Sequence, residues 1–133
     1  MLDIIKDVLI RQLVDSGYAI KSIVPYKDFA FLIYTDKTAF VISYKSSWYH
    51  KFNKHFTQLG EGQIFSRDIV FESAEKDAIL CFGFSNMEIY VINPWKILKY
   101  GIPISHIPDH LAISRFHFKK LDDYLQEQYL EAV

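Results

Sequence analysis

The chain has 133 residues, a net charge of -1 and hydrophobic residues at 50% of its positions. The length suits one domain over residues 1–133, and the composition supplies a packed core and excludes a disordered chain. The near-zero charge provides no global attraction to nucleic acid or membrane, so binding to either needs a local patch. No apolar run approaches the roughly 18 residues of a membrane span. We therefore expect a cytoplasmic protein that has no contact with a membrane.

The first third of the chain predicts a helix followed by three strands. Residues 2–15 place their apolar side chains on one stripe at helical spacing, and Gly17 stands where a C-terminal cap belongs. Residues 18–24 alternate as in a strand, and residues 29–34 form a nearly continuous apolar run that is typical of a buried strand. A tight connection leads to a third predicted strand over residues 39–44.

The rest of the chain predicts helices that alternate with strands. Residues 47–59 carry a helical stripe that Ser46 or Ser47 can cap, and residues 63–71 read as a short strand. Residues 78–84 and 88–92 predict a hairpin, residues 94–100 a short helix, and residues 114–130 the last helix. The predicted fold class is α/β, with an αβββαβ core, a central mixed sheet and C-terminal helices.

Residues 42–47, Ile-Ser-Tyr-Lys-Ser-Ser, resemble the Ile-Glu-Val-Lys-Ser-Ser type of strand end found in PD-(D/E)XK nucleases. Residues 26–29, Tyr-Lys-Asp-Phe, are similar to the Pro-Asp-apolar strand start of that family, and Leu13 to Gly17 resembles its helix exit. The resemblance covers about the first 60 residues. It implies a restriction-endonuclease-like fold of the kind seen in archaeal Holliday junction resolvases.

The resemblance also implies a set of catalytic and metal-binding positions. In such nucleases two carboxylates bind Mg²⁺, which activates a water, and a lysine stabilises the transition state. Lys45 and Ser43 occupy the two catalytic positions, with Ser43 in place of the usual glutamate. Asp28 and Asp7 are the candidate metal ligands, from the second strand and the first helix. Since a hydroxyl cannot neutralise Mg²⁺, we expect weakened metal binding.

The register of this metal site stays open. The family's aspartate can be aligned with Ala30 instead of Asp28, and Asp28 is equally suited to a plain turn. A carboxylate from Glu61 or Glu72 is an alternative source of a metal ligand.

The predicted second helix suggests a surface that binds phosphates. The window over residues 45–55 contains three lysines and two histidines and no acidic residue. Each phosphate contact from such a face adds affinity that falls with salt, and an aromatic ring beside it can stack on a base. The alternative is a solvated helix face above core aromatics. The candidate nucleic-acid-binding residues are Lys45, Trp48, His50, Lys51, Lys54 and His55.

Residues 13–34 are also similar to the C-terminal domain of tRNA-splicing endonucleases, which are metal-free and use a tyrosine, a histidine and a lysine. This chain has Thr38 and Ala39 where that family places its histidine, so the first resemblance ranks higher.

Together these features predict a nucleic-acid-associated protein, binding DNA more readily than RNA, with a weakened or lost metal-dependent site. A homodimer is expected. One alternative is an active Mg²⁺-dependent, structure-specific endonuclease similar to a Holliday junction resolvase. The other is a non-catalytic protein–protein interaction subunit, in which the aromatic side chains serve a dimer face.

Overall fold

A computed structural model describes residues 1–49, 61–98 and 108–132 of the chain. Within these ranges the chain is an α/β protein with a mixed central sheet, which confirms the predicted fold class. The helices are α1 (Leu2–Asp15), α2 (Arg67–Glu75), α3 (Pro94–Leu98) and α4 (Leu121–Ala132), with a 3₁₀ turn over Arg115–His117. The strands are β1 (Ile20–Tyr26), β2 (Ala30–Thr35), β3 (Ala39–Tyr44), β4 (Gly62–Ser66), β5 (Ala78–Gly83), β6 (Ile89–Ile92), β7 (His110–Ser114) and β8 (Lys119–Lys120).

The described strands form one six-stranded sheet in the order β1-β2-β3-β5-β6-β8, and a separate two-stranded sheet of β4 and β7. In the large sheet, β3 and β5 are parallel and every other pair of neighbours is antiparallel. A parallel pair needs a long crossover, which here contains β4 and α2. Since β3 lies between β2 and β5, its residues Val41 and Ile42 are fully buried.

One face of the large sheet is covered by α1 and α4, and we call it the α1 face. The inward stripe of α1, Ile5, Leu9 and Leu13, is fully buried, as its helical spacing predicts. It packs on sheet residues such as Phe40 and on the α4 side chains of the same cluster. The helix ends at Asp15, and Gly17 follows two residues later with a φ of 91°, a conformation that L-residues rarely adopt.

The opposite face of the sheet, which we call the α2 face, is covered by α2 and the β4–β7 pair. Its core is rich in aromatic rings that meet edge to face, an arrangement favoured by their quadrupoles. Phe82 is fully buried at its centre and contacts the rings of Trp48, Phe65 and Tyr90. This layer therefore depends on residues from widely separated parts of the chain.

The prediction for residues 47–59 is wrong at its start. Ser47 lies in a bend, and Tyr49 forms an isolated antiparallel bridge with Gly62, so residues 47–49 are not helical. A bridge to a strand that follows later in the chain cannot be read from local periodicity. Residues 50–59 of the predicted helix lie outside the described residues.

Two further boundaries were predicted wrongly. The predicted strand over residues 63–71 ends at Ser66, because the Ser66 hydroxyl accepts a hydrogen bond from the Ile69 amide at 3.4 Å and caps α2. The last helix begins at Leu121 and not at residue 114, because Ser114 ends β7, where it pairs with Gly62. Among the described helices, none combines the length and apolar character that a bilayer crossing requires.

Candidate functional site

A cavity of about 450 Å³ opens where β3 ends, on the α2 face of the sheet. The backbone amide of Lys45 donates to the Gly83 carbonyl at 3.0 Å, so the two parallel strands β3 and β5 end side by side. The carboxyl end of parallel strands is a usual place for ligand sites in α/β sheets. Two exposed rings, Phe29 and Tyr49, line the cavity. Its polar lining residues are Ser43, Lys45, Ser46, Ser47, Gln63, Ser66 and His110.

Lys45 is the cation of this cavity, and its side chain is half-buried. Its Nζ donates to the Ile64 carbonyl at 2.7 Å and lies 4.8 Å from the centroid of the Phe65 ring. Burial lowers the pKa of Lys45, since the charged form loses hydration. An ammonium has three donors, and Lys45 has no carboxylate partner among the described residues. Lys45 can therefore still donate to a ligand.

Ser43 lies beside Lys45 in the wall of the cavity but is itself buried, with 4% of its surface exposed. Its hydroxyl donates to the Cys81 carbonyl at 3.5 Å, a long and weak hydrogen bond. Tyr44, between Ser43 and Lys45, packs against the cluster on the α1 face. Ser43 and Lys45 thus share one face of β3, as strand alternation requires.

The structure does not bring the two predicted metal ligands to this cavity. Asp28 lies in the exposed turn between β1 and β2, and it is Ala30 that stands directly opposite Ser43. Asp7 is an exposed residue of α1 that forms an ion pair with Lys6 at 3.5 Å. Since α1 covers the other face of the sheet, Asp7 and Lys45 are separated by the sheet itself.

The donors of the cavity do not fit Mg²⁺. This ion prefers carboxylate oxygens, and the polar groups of the described lining residues are hydroxyl, amide, imidazole and carbonyl groups and the Lys45 ammonium. The alternative acids are engaged elsewhere, Glu61 with Arg115 at 2.9 Å and Glu72 with Lys76 at 3.3 Å. Across the described ranges, no group of three or more His, Cys, Asp or Glu side chains is placed to hold a metal ion.

Of the other predicted nucleic-acid-binding residues, the structure describes Trp48. Its ring packs against Phe82 and Tyr90 at centroid distances of 5.4 and 4.9 Å, and the Arg115 guanidinium lies 4.7 Å from its centroid. Trp48 therefore packs as part of the aromatic core, with a cation already over its ring. The other four predicted residues lie outside the described residues: His50, Lys51, Lys54 and His55.

Sequence reasoning missed several side chains that shape the cavity. Gln63 is 2% exposed, and its Nε2 donates to the Ser47 carbonyl at 2.7 Å. Tyr49 and Gly62 exchange two backbone hydrogen bonds, of 2.8 and 2.9 Å, so the segment after Lys45 is held against β4. Gln63 and His110 stand in short segments, Gly-Gln-Ile-Phe and His-Leu-Ala-Ile, whose sequence does not indicate that these two side chains reach a cavity.

A second cavity, of about 400 Å³, lies beyond the turn of Ser46 and Ser47. It differs from the first because Glu88 lines it, together with Arg115. The Tyr90 hydroxyl donates to Glu88 at 2.8 Å and is the largest cause that lowers the pKa of this carboxyl. Glu88 thus brings to the second cavity a negative charge that the described lining of the first does not contain.

Comparisons with protein-family models, with curated proteins and with solved structures gave no match for this chain. Its relation to PD-(D/E)XK nucleases therefore stays a prediction from residues 42–47 and from the order of its elements.

Proposed function

We propose that this chain is a nucleic-acid-associated protein with a nuclease-like fold, which binds a phosphate at Lys45 and has lost the metal-dependent cleavage site. One observation carries the proposal. Lys45 is a half-buried ammonium without a carboxylate partner among the described residues, and it lines a cavity that is open to a ligand. Arranged in this way, a lysine is suited to an oxyanion, since the ligand replaces the counter-charge that the fold does not supply.

The order of the elements supports the nuclease-like part of the proposal. A helix and three strands follow one another as α1, β1, β2 and β3, in the order that the resemblance implies for about the first 60 residues. The Ser43–Lys45 triplet lies at the end of β3, where the motif belongs. The helix that the resemblance implies next, over residues 47–59, lies mostly outside the described residues.

The donor chemistry favours binding over cleavage. Without a carboxylate among the described lining residues, the cavity does not repel a phosphate, and for the same reason it does not attract Mg²⁺. The enzymatic alternative requires carboxylates beside Lys45, and the structure places Asp28 and Asp7 elsewhere.

The proposal is tested by measuring the anisotropy of labelled DNA and RNA strands against protein concentration and salt. Lys45→Met keeps an apolar stem of similar length and removes the charge. We expect it to weaken binding and to reduce the salt slope by about 0.7–0.9, the amount for one phosphate contact. Lys37→Met is the matched control, because exposed Lys37 precedes the opposite end of β3. Equal affinities and slopes for the two variants would remove Lys45 from the proposal.

The predicted basic segment after Trp48 is tested separately, because it lies outside the described residues. Lys51→Glu together with Lys54→Glu should weaken binding and flatten its dependence on salt. Unchanged binding would show that this segment does not contact phosphate. Incubation of the wild type with branched DNA in Mg²⁺ or Mn²⁺ tests cleavage, and nicking that Lys45→Ala abolishes would establish the enzymatic alternative.

The homodimer stays a prediction. The outer edge of β1 does not favour a dimer in which a strand of a second copy pairs with β1. This edge strand contains Pro25, which has no amide hydrogen to donate, and its pairing is irregular around Lys21. Proline, lysine and irregularity are features that protect a sheet edge from another strand. Sedimentation over a range of concentrations checks the oligomeric state, and a concentration-independent monomer would rule out the dimer.

A further inference from the structure

We infer that the cavity beside Lys45 takes one nucleotide unit, a base together with its phosphate, and not the outer surface of a duplex. The inference rests on the proposed function and specifies its ligand. It depends on three observations: the size of the cavity, the position of its cation, and the exposed aromatic rings in its lining.

The size of the cavity suits a small unit. A volume of about 450 Å³ lies within the usual range of about 300–1,000 Å³ for small-molecule sites. A duplex presents a broad convex surface, and its stacked bases cannot enter a concave site unless one leaves the stack. A strand end, an unpaired nucleotide or a free nucleotide meets no such barrier.

The lining combines the two chemistries that a nucleotide needs. Lys45 supplies a positive charge, and the nearby hydroxyls of Ser46 and Ser47 can donate to phosphate oxygens. Phe29 and Tyr49 are 42% and 51% exposed, although large aromatic side chains are usually well buried. A base has a π-face that stacks on such rings whatever its identity.

The Tyr49 side of the cavity is held in place before any ligand arrives. Two backbone hydrogen bonds join Tyr49 to Gly62, and the buried Gln63 amide holds the Ser47 carbonyl. Phe29 lies edge-on to Tyr26 at a centroid distance of 5.9 Å. Side chains on a fixed backbone lose less freedom on binding, which favours affinity at a given contact area.

Three ligands share this chemistry: a free mononucleotide, a phosphorylated strand end and an unpaired nucleotide within a strand. Calorimetry of the full chain with adenosine 5′-monophosphate, adenosine and inorganic phosphate measures the first. Competition experiments distinguish the phosphorylated strand end from the unpaired nucleotide. In them the monophosphate competes with a single strand that has a 5′-phosphate, with a single strand that lacks it, and with a blunt duplex. We expect the monophosphate to bind at least ten-fold more tightly than adenosine.

Two variants test which residue contacts the base and which contacts the phosphate. Tyr49→Ala should weaken binding of the monophosphate on the order of ten-fold, the effect of losing one stacked base. Tyr129→Ala, at a tyrosine that is 67% exposed on α4, is the matched control and should leave binding unchanged. Lys45→Met should weaken the monophosphate and leave the weak binding of adenosine unaltered.

Three results would overturn the inference. In the first, strands bind through Lys45, but neither the monophosphate nor Tyr49→Ala weakens their binding. This result would exclude the nucleotide site and leave phosphate binding at Lys45 in place. If a blunt duplex without a terminal phosphate binds as tightly as a single strand and excludes it, the ligand is a duplex surface. Failure of every strand and nucleotide to bind would overturn the proposed function as well.

Discussion

The two faces of the sheet differ most where β3 and β5 end. On the α1 face, a methyl group added to Gly83 would lie 2.5 Å from the Ile5 Cγ2 atom, so the helix and the strand leave no space. On the opposite face, residues at the end of the neighbouring strand β3 line a cavity of about 450 Å³. The fold is therefore closely packed on one side of this sheet end and open on the other.

The largest effect is expected in the aromatic core below the cavity. Phe82→Ala removes a fully buried ring that contacts several others, and it should lower the free energy of unfolding by about 3–5 kcal/mol. Urea denaturation followed by circular dichroism measures the change. Phe116→Ala, at a ring that is 74% exposed, is the control and should change stability by less than about 0.5 kcal/mol. Similar losses for both variants would contradict the packing of this face.

The second prediction tests the tight side of the comparison. Gly83→Ala should destabilise the fold by about 1–3 kcal/mol through overpacking against Ile5. Ile5→Ala is itself destabilising, by about 2–5 kcal/mol, but it removes the methyl group that clashes. The double variant should therefore lose less than the sum of the two single losses, by about 0.5–3 kcal/mol. Additive losses would show that Ile5 does not set the limit at Gly83.

A smaller effect is expected at the cavity wall. Ser66 caps α2, so Ser66→Ala should cost about 1 kcal/mol of stability, the usual contribution of an N-cap. Ser46→Ala is the matched control from the same lining, and a surface change of this kind is expected within about 0.5 kcal/mol. Equal losses in thermal unfolding would mean that the Ser66 hydrogen bond does not stabilise α2.

The last prediction concerns pH. Burial lowers the pKa of Lys45 below its ordinary value of 10.5, so the unfolded chain holds this proton more tightly than the folded protein. The contribution of Lys45 to stability therefore rises with pH between its folded pKa and 10.5. The difference in stability between Lys45→Met and wild type should favour the variant most at neutral pH and shrink as pH rises. Lys37→Met is the control for the loss of a lysine as such. If the corrected difference in stability does not change with pH, the lowered pKa of Lys45 is contradicted.

The sequence predicted best the elements whose neighbours are local. The helical stripe of α1 and the tight connection before β3 predict the bounds of both elements as the structure has them. The nine residues of α2 were missed, because a short helix that buries Ser73 and Ala74 has a weak apolar pattern. The environment of Lys45 is not predictable from its neighbours in sequence, because Ile64 and Phe65 contact it from β4. The helix start predicted at Ser114 is wrong for the same reason, since its strand partner Gly62 is distant in sequence.

The parallel pairing of β3 with β5 has a consequence for the order of folding. Hairpins β1–β2 and β2–β3 close over short loops, whereas the contact of Thr38 with Asp77 joins residues 39 positions apart. Long loops cost more entropy to close, so non-local pairings form slowly. The meander supplies the Phe29 and Lys45 side of the cavity, and the crossover supplies the side of residues 63–66. We expect the meander of β1 to β3 to order first, and the cavity with its ligand site to appear only as the crossover docks.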